Sequence, residues 1–140
     1  MHRNFAITGG IYLSQPPYEL DLHNNFDFLG VDYSVEARTA TLRWRRAIGD
    51  WVGAETPESV TVTFGEVRYF RFNPRDAEVP FTEDDCLNAF GYWTDENWVD
   101  GIIVIADGKQ PEAHWFTAVE FMSGAVILLQ ASYANAVIAA

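Results

Sequence analysis

A chain of 140 residues with five Trp and ten Phe but one Cys is long enough to bury a sizeable core. The lone Cys excludes an intrachain disulfide framework and a Cys-based zinc centre within one copy, and twenty Asp and Glu against nine Lys and Arg, a net charge of −11, argue against nucleic-acid binding by phosphate neutralisation. No run approaches the roughly 20 apolar residues that span a bilayer, and Met1 to Phe5 carries no apolar leader, so a single cytoplasmic domain over residues 1–140, without membrane association, is expected.

Phe5 to Leu13 has strand composition, but Gly9-Gly10 splits it. Pro16-Pro17, which lock φ and lack backbone donors, read as a surface connector or an arm along a sheet edge. Tyr18 to Asn25 is polar and ambiguous. Phe26 to Val35 is a strand whose phase breaks: Phe26 and Phe28 share one side, whereas Val31, Tyr33 and Val35 share the side of Leu29. A bulge at Gly30 produces that change, because one extra residue moves every later side chain to the opposite face. Glu36-Ala37-Arg38 turns the chain into Thr39 to Ala47, where Ala40, Leu42 and Trp44 point in while Thr41, Arg43 and Arg45 point out. Residues 26–47 therefore read as a hairpin with one solvated face.

Gly49 to Pro57 is a loop, with Trp51 expected to fold under it as a satellite of the core. Val60, Val62 and Phe64 alternate with Thr61 and Thr63, and the register changes at Gly65 before Val67, Tyr69, Phe70 and Phe72. Of a hairpin and a bulge at Gly65, the bulge is favoured, in a bent strand that crosses the core. Asn73-Pro74-Arg75-Asp76 is a turn. Thr82 as N-cap, Glu83 to Asp85 as an acidic first turn, Leu87 three residues before Phe90 and Gly91 as a stop predict a short helix over about Glu83 to Phe90. Ile102 to Ala106 has the length of a strand, and Asp107-Gly108 marks a turn. Glu112 to Tyr133 carries the strongest pattern: His114 to Met122 and Ala125 to Tyr133 flank Ser123-Gly124, and neither arm has a clean polar face. A β-hairpin buried on both faces is expected there. Ala134 to Ala140 is a small-residue tail that extends the last strand or frays. The whole reads as an all-β chain, six to eight mostly antiparallel strands in a sandwich or strongly curled sheet with one short helix; an α+β sheet is the alternative.

Charge is unevenly placed. Asp76, Glu78, Glu83, Asp84, Asp85, Asp95, Glu96 and Asp100 occupy a stretch without Lys or Arg, whereas Arg38 to Arg75 is net basic. Within the acidic stretch, Tyr92, Trp93 and Trp98 are interleaved with Asp95, Glu96 and Asp100, and aromatic anchors amid charge are what interfaces use. These six residues form the candidate binding surface for a basic protein partner. No catalytic constellation stands out. Cys86 inside a short helix, away from its first turn and from any base, reads as a small buried hydrophobe. His2, His23 and His114 are spaced too widely to indicate a metal, and an EF-hand started at Asp95 or Glu96 breaks at Val99 and Asp100 or at Trp98. Arg43, Arg45, Arg46, Arg68 and Arg71 are expected to pair across strands with Glu36 and Glu66. No cofactor is implied, and a homodimer is compatible with the sequence.

At Leu42-Arg43-Trp44, Val62-x-Phe64-x-x-Val67 and Phe121-Met122-Ser123-Gly124 the chain resembles small stand-alone bacterial proteins of uncharacterised function, some of which belong to toxin–immunity loci. The likeness covers roughly residues 26–133 and supplies no catalytic residues. It implies a binding protein that occludes a partner and does no chemistry. A non-catalytic, acidic protein-binding module is thus the first expectation. A small-molecule-binding β domain with aromatics lining a cavity is the second. A hydrolase with dispersed carboxylates ranks last, since such pairs are defined by a spatial separation.

Overall fold

The computed structural model describes residues 1–94 and 110–140. Among them the alternating pattern forms β1 (His2–Arg3), β2 (Ala6–Thr8), β3 (Tyr12–Gln15), β4 (Tyr18–Asp21), β5 (Phe26–Ser34), β6 (Thr39–Arg46), β7 (Ser59–Gly65) and β8 (Tyr69–Asn73). A single 3-10 turn (Phe81–Glu83) precedes β9 (Leu87–Trp93), β10 (Phe116–Phe121), β11 (Val126–Gln130) and β12 (Tyr133–Ala139). The sheets run β1-β12-β7-β6-β5, β8-β11-β10-β9 and β2-β3-β4. Every pairing is antiparallel except that of β1 with β12. The fold is all-β.

The inward positions of all three sheets meet in one apolar cluster. Leu42, Trp44, Val60, Val62 and Phe64 come from the five-stranded sheet, Leu87, Val119, Phe121, Ile127 and Leu129 from the four-stranded sheet, and Leu13 and Leu20 from the three-stranded one. Each such side chain contributes about 1.5–3 kcal/mol when fully removed from water. The β10–β11 hairpin has the expected two buried faces. Val119, Phe121, Ile127 and Leu129 join the main core, while Ala118, Val126 and Leu128 form a second cluster with Trp93 on the other side.

The bulge in β5 is present. Phe28 pairs with Trp44 and Gly30 with Arg43, so Leu29 is the extra residue and is pushed out to 53 % exposure. Gly30 takes φ +150°, a conformation that L side chains rarely adopt. The chain also bends across the core at Gly65. β7 pairs with β12 in one sheet, and its continuation β8 pairs with β11, the element before β12, in the other. Three residues, Glu66 to Arg68, span this corner opposite two, Ala131 and Ser132, so the ribbon carries one extra residue, as a bulge requires. Corners of this kind let strands change sheets. Val67 is buried in the bend, and its backbone N–H donates to the Arg38 carbonyl at 2.9 Å.

Two expectations are corrected and one alternative is decided. Residues 83–90 are not a helix: after the 3-10 turn, Leu87 and Phe90 lie in β9. Phe121 pairs with Leu87 and Glu120 with Ala89, leaving Asn88 as an extra residue. That bulge brings Leu87 and Phe90 to one face at the same spacing of three that a helix would give. Trp51 is not tucked under its loop but is 65 % exposed. Of the two alternatives for the tail, further strand and fraying, the strand forms. As β12 it lies between β1 and β7, with Ala134 and Ala136 buried, and the Asn4 side chain accepts from the Ala136 N–H at 2.7 Å and donates to its carbonyl at 3.1 Å.

The position of β12 generates a stability prediction. Ala136→Asp places an uncompensated charge in the core and should cost about 3 kcal/mol or more in urea denaturation. A frayed tail would tolerate the same change within about 0.5 kcal/mol.

Candidate functional site

Of the six residues expected to form a binding surface, Tyr92 and Trp93 are described. Asp95, Glu96, Trp98 and Asp100 lie outside the described residues, as do the strand expected at Ile102 to Ala106 and the turn at Asp107-Gly108. Tyr92 and Trp93 are neighbours in β9 and point to opposite faces. Tyr92 faces inward at 8 % exposure, with the Arg3 guanidinium 5.6 Å from its ring centroid and the Trp115 ring at 6.4 Å. Burial pushes its hydroxyl pKa up, and Arg3 opposes that shift. Trp93 packs instead on Ala118, Val126 and Leu128. The two rings therefore do not share a surface, and Tyr92 offers little area to a partner.

A different constellation forms where the segment from residue 74 to 86 wraps the ends of both main sheets. Pro74 ends β8. Arg75, the last base before Lys109 in the sequence, then holds the segment together. Its Nε donates to Asp84 Oδ1 at 2.8 Å, a second guanidinium nitrogen donates to the Val79 carbonyl, and its Cζ stands 4.5 Å from the Phe81 ring centroid. Backbone bonds tie the segment down on two sides: Phe28 N–H to the Asp85 carbonyl, Asp76 N–H to the Ser123 carbonyl, and Met122 N–H to the Cys86 carbonyl, each 2.8 Å.

This wrapping leaves a cleft of about 280 Å³ between the sheets. Phe28, Phe72, Phe121 and Ala125 form apolar walls, and Arg75 and Asp84 stand among the polar groups that line it. Phe28 is fixed by Phe121 (ring centroids 4.4 Å) and Trp44 (5.1 Å), whereas Phe72 is 50 % exposed and Phe81 80 %. Carboxylates gather at the same end. Partial burial raises the pKa of Asp85, and the nearby charges of Asp27, Glu83 and Asp84 raise it further against the opposing bond from its own backbone N–H. Among the described residues, Asp84 alone of these four has an ion-pair partner. Sequence reading missed the cleft because Phe28, Phe72 and Phe121 have the composition of ordinary core positions. The Gly30 bulge and Pro74 were its local signals.

The arginines behave differently from expectation. Arg43 pairs with Asp32, Arg38 reaches the Val67 carbonyl at 3.3 Å, Arg46 the Thr56 carbonyl at 2.8 Å and Arg68 the Ser132 hydroxyl at 3.1 Å. Arg43 thus does pair across strands with a carboxylate, that of Asp32 in β5, while a carbonyl and a hydroxyl serve Arg46 and Arg68 where Glu36 and Glu66 were expected. Among the described residues no group of three or more His, Cys, Asp and Glu side chains is arranged to hold a metal ion.

Cys86 precedes β9 and is half-buried, with Sγ 3.6 Å from His23 Nδ1. The pair does not have the chemistry of a nucleophilic dyad. His23 Nδ1 is also bonded to the Leu87 carbonyl, an acceptor, so that nitrogen carries the proton and cannot take one from the thiol. Burial pushes the thiol pKa up, and Glu83 and Asp85 push it further, so the inert thiol form persists where a reactive thiolate would need a depressed value. Iodoacetamide labelling of the folded protein should accordingly rise with pH at a midpoint above that of the urea-unfolded chain. A midpoint below the unfolded value would instead support a catalytic reading of the pair.

No protein-family model, curated protein or solved structure matches the chain.

Proposed function

We propose that this chain is a non-catalytic protein-binding module that receives a basic segment of a partner protein at the end bounded by Phe72, Phe81 and the carboxylates of Asp27, Glu83, Asp84 and Asp85. The observation that carries the reading is the apolar cleft opening beside carboxylates that have few counter-charges of their own. An aliphatic or aromatic side chain of the partner fills the cleft as an anchor, and flanking Lys or Arg residues neutralise the rim. A net charge of −11 adds long-range attraction for such a partner. Occlusion of a basic surface, as in an immunity-type inhibitor, uses the same contact. The second reading, a small-molecule-binding β domain, draws on the same aromatic walls, although about 280 Å³ is close to the lower end of the usual size for such sites, roughly 300–1,000 Å³.

Selection of a random peptide library against the immobilised protein separates the two. Enriched peptides should carry one large apolar residue flanked by Lys or Arg. Phe72→Ala should weaken their binding about tenfold, mainly through faster dissociation, and Glu83→Gln should slow association more at low salt than at high salt. Enrichment of uncharged peptides with salt-independent binding would remove the basic-partner reading. Saturable binding of small apolar compounds without any peptide enrichment would favour the second.

The rim also opposes folding. Because the folded-state pKa of Asp85 is raised, the stability this group contributes is present below the ordinary carboxylate range and is lost as pH rises through the unfolded pKa towards the folded one. Asp85→Asn keeps the backbone carbonyl that accepts from Phe28. It should therefore have a higher Tm than the parent at pH 7, with the difference vanishing at acid pH, and should bind the selected peptides more weakly. A lower Tm at pH 7 would show the carboxylate to be a structural requirement.

A further inference from the structure

The four-stranded sheet ends beside the cleft in a strand that is paired on one side. β8 bonds to β11 in an unbroken register, from Tyr69 opposite Gln130 to Asn73 opposite Val126. An antiparallel pair turns the N–H and C=O of every second residue away from the neighbouring strand, and among the described residues the groups that β8 turns away have no backbone partner. The edge is open. β5 ends the other main sheet on the facing side, yet no backbone hydrogen bond joins it to β8. Side chains bridge this seam: Tyr33 stacks on Phe70, and Phe28 and Phe72 wall the cleft between the two strands.

The two edges are not equally receptive. β5 is interrupted by its bulge, and the carbonyl of Asp85 in the wrapped segment already takes the Phe28 N–H at 2.8 Å; bulges and covering segments are what blunt a sheet edge. β8 has neither. Its five residues contain no Pro and make a strand of ordinary length.

We propose that the basic segment, whose docking at the acidic cleft is the reading on which this inference rests, binds as an extended strand added to the free edge of β8. Main-chain bonds then supply affinity and alternate side chains supply specificity. The position of β8 fixes what those side chains are. Phe70 packs against the core and Phe72 is half-exposed at the cleft, so the residue of the added strand that faces inward beside Phe72 is the apolar anchor. Arg71 lies on the opposite face, exposed and without an ion-pair partner among the described residues. The position next to the anchor therefore takes Asp or Glu. On the other side of the anchor, past Asn73, the strand enters the field of Glu83, Asp84 and Asp85 and takes Lys or Arg. A second copy of the chain fits less well. Two β8 edges paired antiparallel about their midpoint set Arg71 against Arg71, and each chain carries a net charge of −11.

The probe is the tightest peptide enriched from the random library, made as a series with one backbone N-methyl group at each position in turn. N-methylation removes a main-chain donor and keeps the side chain, so affinity should fall about tenfold at every second position, the scale of one hydrogen bond, and little in between. With the unmodified peptide, amide hydrogen exchange should slow at alternate residues of β8. Arg71→Glu, whose fold is verified by circular dichroism, should on reselection move the preferred neighbour of the anchor from Asp or Glu to Lys or Arg. The inference is overturned if N-methylation is tolerated throughout or costs affinity at every third or fourth position, the period of a bound helix. It is equally overturned if the β8 amides exchange as they do in the free protein, or if sedimentation shows a dimer that protects them without peptide. Those results leave the protein-binding reading standing, whereas failure to enrich any peptide removes both.

Discussion

The fold depends on one bent antiparallel ribbon. Its two strands each pass through both main sheets, β7 continuing into β8 and β11 into β12, so the sheets are joined by continuous hydrogen-bonded chain as well as by side-chain packing. At the corner the Ser132 N–H donates to the Gly65 carbonyl at 3.0 Å and the Arg68 N–H to the Gln130 carbonyl at 2.8 Å. The polar backbone is therefore satisfied through the bend, where an unpaired buried group would be costly. Packing adds the inner faces to this frame. Phe64, Val67, Leu129 and Ala131, all near the corner, belong to the same apolar cluster.

Away from the corner, the two sheets meet through β5 and β8. Tyr33 stacks on Phe70 there, with ring centroids 4.6 Å apart and planes within 6°. Towards Phe28 and Phe72 the sheets leave the cleft open, and the segment wrapped across this end supplies the Arg75, Asp84 and Phe81 groups around it. The β5 bulge turns Leu29 outward beside Phe28, which walls the cleft.

Electrostatics and stability pull against each other at this end. Arg75 is the last base before a long acidic run, and it is spent on Asp84, the Val79 carbonyl and the Phe81 ring. Asp27, Glu83 and Asp85 have no such partner, and burial first, then these neighbouring charges, raise the pKa values of Asp85 and Cys86. Folding tolerates the repulsion because the core is large and these carboxylates remain accessible to water. This gathering of like charge beside exposed aromatic rings is the feature on which the proposed contact with a basic partner rests.

The sequence by itself determined the elements whose signal is local. Ala40, Leu42 and Trp44 alternate with outward residues, the two arms around Ser123-Gly124 are long and apolar, and the phase break at Gly30 marks its bulge, because a period of two is legible without knowing a strand's neighbours. Tertiary structure decided the rest. The three-residue spacing of Leu87 and Phe90 belongs equally to a helix face and to a bulged strand, and pairing with Phe121 and Val119 selected the strand. Tyr133–Ala139 became an internal strand because β1 and β7 bond it from both sides, a fact absent from its small-residue composition. Trp51 stays outside because its hydrogen-bond partner, Asn24, lies 27 positions away in the chain. The cleft was invisible for the same reason: Phe28, Phe72 and Phe121 are distant in sequence, and only the meeting of β5, β8 and β10 turns three core-type residues into the walls of a site.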